Sequence, residues 1–91
     1  GMILFSFGRK GTKKGEFWEP SRVAVDHHNN ILVSDTGNHR IQVFNARGEW
    51  ISSIGSWGVG RGYFKGPQGI VVDNLNRIIV TEIENNRVQI F

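Results

Sequence analysis

Cationic side chains interleaved with large aromatic rings are the feature of this sequence most suggestive of chemistry. Arg9, Lys10, Lys13, Lys14 and Arg22 fall in one stretch around Trp18, and Arg61 and Lys65 fall in a second with Trp57 and Tyr63. Residues 8–22 and 55–69 together hold seven of the eleven Lys and Arg residues and two of the eight acids, a surplus of five against a net charge of +3 for the whole chain. Ammonium and guanidinium groups attract phosphates, and exposed rings stack on bases, so this mixture suits a single-stranded polyanion that carries bases. The bland alternatives are a solubilising loop for the lysines and packing between structural units for Trp18 and Trp57.

Other chemistries find little support. The chain has no cysteine, which excludes disulfides, zinc–thiolate sites and thiol nucleophiles. His27 and His28 are adjacent in a turn, so their side chains diverge, and His39 stands apart without a second ligand at metal spacing. Glu82 and Glu84 form a carboxylate pair, with no nucleophile or histidine base beside them. The glycines at 8 and 11, and at 58, 60 and 62, superficially resemble phosphate loops but precede no helical pattern. The expectation is a non-catalytic protein without cofactor or metal. No apolar run approaches the roughly 20 residues that cross a bilayer, and the absence of cysteine fits a cytoplasmic address. Gly1 ahead of Met2 reads as the remnant of a removed tag, hence an expressed fragment.

The elements that must hold the basic loops emerge from an internal repeat. Shifted by 47 residues, the chain falls on itself without a gap. Phe17 meets Phe64, Pro20 meets Pro67, Val25-Asp26 meets Val72-Asp73, and Asn38-x-Arg40-x-Gln42-x-Phe44 meets Asn85-x-Arg87-x-Gln89-x-Phe91. Within each unit, short runs rich in β-branched residues alternate with polar turns, which predicts strands over residues 22–25, 31–34, 40–44 and 49–54. Four antiparallel strands per unit of 40–50 residues is the signature of a propeller blade. Arg40 and Arg87, repeated in both units, read as structural groups that hydrogen-bond loop carbonyls. Asp26 and Asp73 read as Asx-turn acceptors.

The strings Phe17-x-x-Pro20, Val23-Ala24-Val25-Asp26, Ile31-Leu32-Val33-Ser34-Asp35 and Asn38-His39-Arg40-Ile41-Gln42-Val43-Phe44 resemble an NHL repeat, and residues 64–91 repeat the pattern. The chain differs from the family at Glu82-Ile83-Glu84, where an Asp and small or polar residues are usual, and at Arg22, where Gly is common. The resemblance is to the NHL domains that end tripartite-motif proteins. It implies a six-bladed, all-β propeller whose long-loop face binds single-stranded or hairpin RNA. Arg9, Lys10, Lys13, Lys14, Arg22, Trp57, Arg61, Tyr63 and Lys65 are the candidate contacts.

On this reading residues 1–91 are two NHL repeats, with blade 1 over 17–54 and blade 2 over 64–91. Residues 2–7 correspond to a fourth strand, whereas residues 64–91 supply only three, so 2–7 serve as an outer strand exchanged to a neighbouring blade. Repeats of this kind need about three or more units to bury their faces. Propellers have roughly 4–8 blades, which allows two, three or four copies of a two-blade chain, and the six blades implied by the resemblance select a homotrimer closed by strand exchange. The other function carried forward is a protein-interaction or assembly scaffold, including an engineered or excised propeller fragment without a nucleic-acid ligand.

Overall fold

The computed structural model describes residues 2–91. It contains seven β-strands in two antiparallel sheets. The first sheet runs β1 (Pro20–Val25), β2 (Ile31–Asp35), β3 (Arg40–Phe44) and β4 (Trp50–Ile54), with each strand hydrogen-bonded to the next. The second repeats the plan with β5 (Pro67–Val72), β6 (Ile78–Glu82) and β7 (Arg87–Ile90). Among the described residues the one helical element is a short 3-10 turn, Thr36–Asn38. The observed strands overlap those predicted within each repeat, with β1 starting earlier at Pro20, which faces Asp35 across a bulge, whereas residues 2–7, expected as an outer strand, are not in a strand in this single chain.

The turns explain why the strands reverse where they do. The Asp26 carboxylate accepts the N–H groups of His28 and Asn30 at 2.8 and 2.9 Å, and Asp73 accepts those of Leu75 and Arg77 at 2.9 and 2.8 Å. Each acid thereby replaces the water its turn would otherwise need. Asn29 and Asn76 then take left-handed backbone angles, φ +63° and +61°, which asparagine tolerates better than most residues.

The core lies between the sheets. Leu32, Ile41 and Val43 on one face of the first sheet cluster with Ile70 and Val80 of the second and with Phe64 from the loop before β5, all buried. Alternation along each strand leaves the opposite faces to other partners. Val23 and Val25 on the first sheet, and Val71, Val88 and Ile90 on the second, are each more than half exposed. Phe44 is buried to 2% under Phe17 and Phe7, with ring centroids 5.6 and 4.9 Å away. Its repeat partner Phe91 is 40% exposed, because among the described residues no strand pairs with β7 on its outer side; the Phe64 ring lies 5.6 Å from its own. Residues 2–7 form no strand, and Phe7 rests against Phe44.

Candidate nucleic-acid interface

Each long loop is pinned to its sheet by the same buried device. Asp35 is fully buried, and its carboxylate accepts Arg40 Nε at 2.8 Å, Asn38 Nδ2 and Gln42 Nε2 at 3.0 Å, and the Trp18 backbone N–H at 2.8 Å. The outer guanidinium nitrogens of Arg40 donate to the carbonyls of Thr12, Lys13 and Glu16 at 3.1, 2.9 and 2.8 Å. Gln42 donates to Glu16 O at 2.6 Å and accepts the Gly15 N–H at 2.9 Å. A charged hub whose hydrogen-bonding capacity is filled is tolerated in the interior; an unpaired one is not.

The second repeat builds the same clamp on a longer acid. Glu82 accepts Arg87 Nε at 2.6 Å, Asn85 Nδ2 and Gln89 Nε2 at 2.8 Å, and the Lys65 N–H at 3.1 Å. Arg87 holds the carbonyls of Val59, Gly60 and Tyr63 at 2.6, 2.8 and 2.8 Å. Burial opposes ionisation of Glu82, but the hydrogen bonds from Arg87, Asn85, Gln89 and Lys65 outweigh it and hold its carboxyl below the usual glutamate range. The Glu82-Ile83-Glu84 variation therefore preserves the hub. Arg40 and Arg87 do bind loop carbonyls, as their repetition implied. The part of the clamp that sequence reasoning missed is the acid and the glutamine, although both recur in register at 35/82 and 42/89.

The candidate contacts divide by environment. The Lys10, Lys14 and Lys65 ammonium groups lie over the rings of Trp18, Trp50 and Trp57, at 4.5, 4.7 and 5.2 Å from the ring centroids. Cations above indole faces are attracted by the ring quadrupole. Arg9 pairs with Glu16 at 3.0 Å but stays largely in solvent. Lys13 is exposed, and its own carbonyl is held by Arg40. Arg22 sits exposed on β1, with its N–H donating to Ser34 Oγ at 2.9 Å. Arg61 lines an open pocket of about 390 Å³ with Arg87 and the β7 edge, beside exposed Tyr63. The structure thus gathers Arg9, Lys10, Lys13 and Lys14 on the first loop and Trp57, Arg61, Tyr63 and Lys65 on the second, and leaves Arg22 on its strand. Among the described residues no cluster of His, Asp and Glu could hold a metal ion. No helix is long and apolar enough to cross a membrane.

Repeated strands and repeated clamps define a β-repeat protein, and comparison with known families names the class. The NHL repeat model matches residues 17–44 and 64–91. The chain belongs to the NHL repeat family, and its two sheets fit two blades of that kind. Among its relatives are Protein brain tumor of Drosophila melanogaster, 52% identical over 44 residues, and B-box type zinc finger protein ncl-1 of Caenorhabditis elegans, also 52% over 44. The mouse E3 ubiquitin-protein ligase TRIM32 is 43% identical over 47 residues. These matches cover 48%, 48% and 52% of this chain, and only 4%, 5% and 7% of the respective relatives.

Proposed function

We propose that the chain is a non-catalytic propeller module that completes a ring with further copies of itself and binds single-stranded RNA on its long-loop face. Residues 17–54 are one blade and 64–91 the next, and residues 2–7 supply the outer strand of a neighbouring blade.

The observation that carries the assembly is that each open face repeats half of the interface already present. By the 47-residue shift, open Val23 corresponds to buried Ile70, and open Val88 and Ile90 correspond to buried Ile41 and Val43. A second copy can therefore stack its first blade on this chain's second blade as the two blades stack here. The polar contacts map as well. The His27 N–H donates to Asn76 Oδ1 at 2.9 Å, and their counterparts are Asn74 and Asn29. The Gly66 N–H donates to His39 Nδ1 at 3.0 Å, and the counterparts are Glu19 and Asn86. Glu19 and Asn86 already hold φ of +51° and +49°, close to the +65° and +54° of Gly66 and His39. Stacking at a constant rotation closes a ring without exposed sheet edges, and the six blades implied by the family resemblance require three copies.

The RNA reading is supported by the basic surplus of the two long loops and by exposed Trp57 and Tyr63 among those cations. Three copies would multiply that surplus threefold on one face. Lys13, Lys14, Arg61 and Lys65 supply mainly phosphate attraction, so changing them weakens all sequences alike and lowers the salt dependence. The threefold face favours sequence-tolerant binding. The test is titration of a labelled uridine-rich oligonucleotide at about 50 and about 200 mM salt, where binding through several phosphates weakens steeply. No binding at the lower salt would defeat the RNA reading and leave a protein-interaction scaffold.

A further inference from the structure

The two loops carry the same lysine–tryptophan pair with the residues exchanged. Lys10 pairs with Trp18 in the first repeat, and the 47-residue shift turns these positions into Trp57 and Lys65. The backbone relation is the same in both. Lys10 and Trp57 form isolated parallel bridges to Phe17 and Phe64, the residues just before Trp18 and Lys65. The buried acid fixes the other partner, through the Trp18 N–H to Asp35 at 2.8 Å and the Lys65 N–H to Glu82 at 3.1 Å. Two unlike sequences thus place one indole and one ammonium in contact at equivalent points. Both indoles remain open, Trp18 at 41% and Trp57 at 61% exposure.

Shielding of apolar surface alone does not require a tryptophan at either place, because any apolar side chain under a lysine stem would serve. An indole beside an ammonium does suit one chemical unit. Because the ammonium covers one face of its indole, a flat base stacks on the face left open, and the phosphate one sugar away turns to the cation. The first repeat adds a pocket of about 480 Å³ next to Trp18, with Phe17 and Pro20 as apolar walls, Arg9 and Lys10 as cations and Glu19 as the one acid, which leaves the lining net positive. That volume lies within the range of small-ligand sites.

We infer that the Lys10–Trp18 and Lys65–Trp57 pairs are each a binding site for one nucleotide, its base stacked on the indole and its phosphate on the ammonium, whereas Trp50 under Lys14 is a half-buried strand residue and is not one. This rests on the RNA reading above and makes it specific, with two nucleotide sites per chain built from opposite sequence orders.

The probe is uridine 5′-monophosphate, with uridine and inorganic phosphate as controls, followed through the indole N–H signals of the three tryptophans by NMR. Trp18 and Trp57 should shift on titration while Trp50 stays, and each control should bind at least about fivefold more weakly than the nucleotide. Lys10→Gln should weaken the response at Trp18 only. The deciding variant exchanges the pair, Lys10→Trp with Trp18→Lys, which copies the order already present at 57 and 65. It should restore a titrating indole in the first loop, whereas Trp18→Lys alone should not. Equal shifts with phosphate alone, or an exchange variant that folds yet shows no titrating indole at 10, would overturn the inference. A labelled oligouridine run in parallel separates the two readings. Oligonucleotide binding without movement of either indole keeps the RNA reading and removes this one, and mononucleotide binding without oligonucleotide binding does the reverse.

Discussion

Phe44 and Phe91 occupy the same place in their repeats, yet one is buried and the other is not, so truncating each to alanine separates burial from chemistry. Phe44 is 2% exposed and packs on Phe7 and Phe17 at 4.9 and 5.6 Å. Removing a buried phenyl ring costs about 3–5 kcal/mol, including the cavity it leaves. A domain of this length has a total stability of roughly 5–14 kcal/mol at ~0.05–0.15 kcal/mol per residue, so Phe44→Ala should remove a large part of it. Phe91, at 40% exposure with Phe64 as its ring neighbour, should cost about half as much when the chain is dilute and monomeric. If a neighbouring copy lays residues 2–7 along β7, that strand covers Phe91, and the two costs should converge as protein concentration rises. Urea unfolding of both variants at low and high protein concentration measures this. A Phe44→Ala cost below about 1 kcal/mol would refute the burial argument, and a Phe91→Ala cost independent of concentration would refute the covering strand.

Two other perturbations follow from local geometry. Glu82 titrates below its ordinary range because Arg87, Asn85, Gln89 and the Lys65 N–H stabilise its ionised form against burial. That contribution is therefore present above the unfolded value of about 4.3 and is lost as pH falls through the lower folded value. Asp26 and Asp73, also lowered, act with the same sign. Glu82→Gln should lower stability at neutral pH and flatten its decline between about pH 5 and 3, read from urea midpoints; an unchanged decline would show that Glu82 is not the titrating hub. Gly37→Ala should destabilise by about 1–3 kcal/mol in thermal melting, because a Cβ there runs into the indole and carbonyl of Trp18. The same change at Gly15, with open space around it, meets no such obstacle but must hold a left-handed backbone, φ +80°.

Strand positions were legible because each is a short run rich in β-branched residues between polar turns, with polar–apolar alternation added at 40–44, and the Asx turns at Asp26 and Asp73 were legible because the acid lies at the start of a short polar loop. The loop clamp was read only in part. Arg40 and Arg87 stand out as repeated cations, but a buried carboxylate at 35 and 82 looks in sequence like any turn acid until its donors are brought round by the fold. The Lys–Trp exchange was hidden for a different reason. Position-by-position matching of the repeats reports Lys10 against Trp57 and Trp18 against Lys65 as two mismatches, and only contact across the parallel bridges turns them into one preserved pair. Sequence alignment also treats Phe44 and Phe91 as equal, because burial depends on what lies beyond the last strand.

The central claim is that the exposed faces of the two blades are two halves of one interface. Light scattering coupled to gel filtration tests it most directly. Three copies of a 10.3 kDa chain give a particle of about 31 kDa, and deletion of residues 2–7 should return it to a lower mass, because each junction loses a strand and its ladder of hydrogen bonds. A well-folded species at 10.3 kDa across the accessible concentration range would contradict the account.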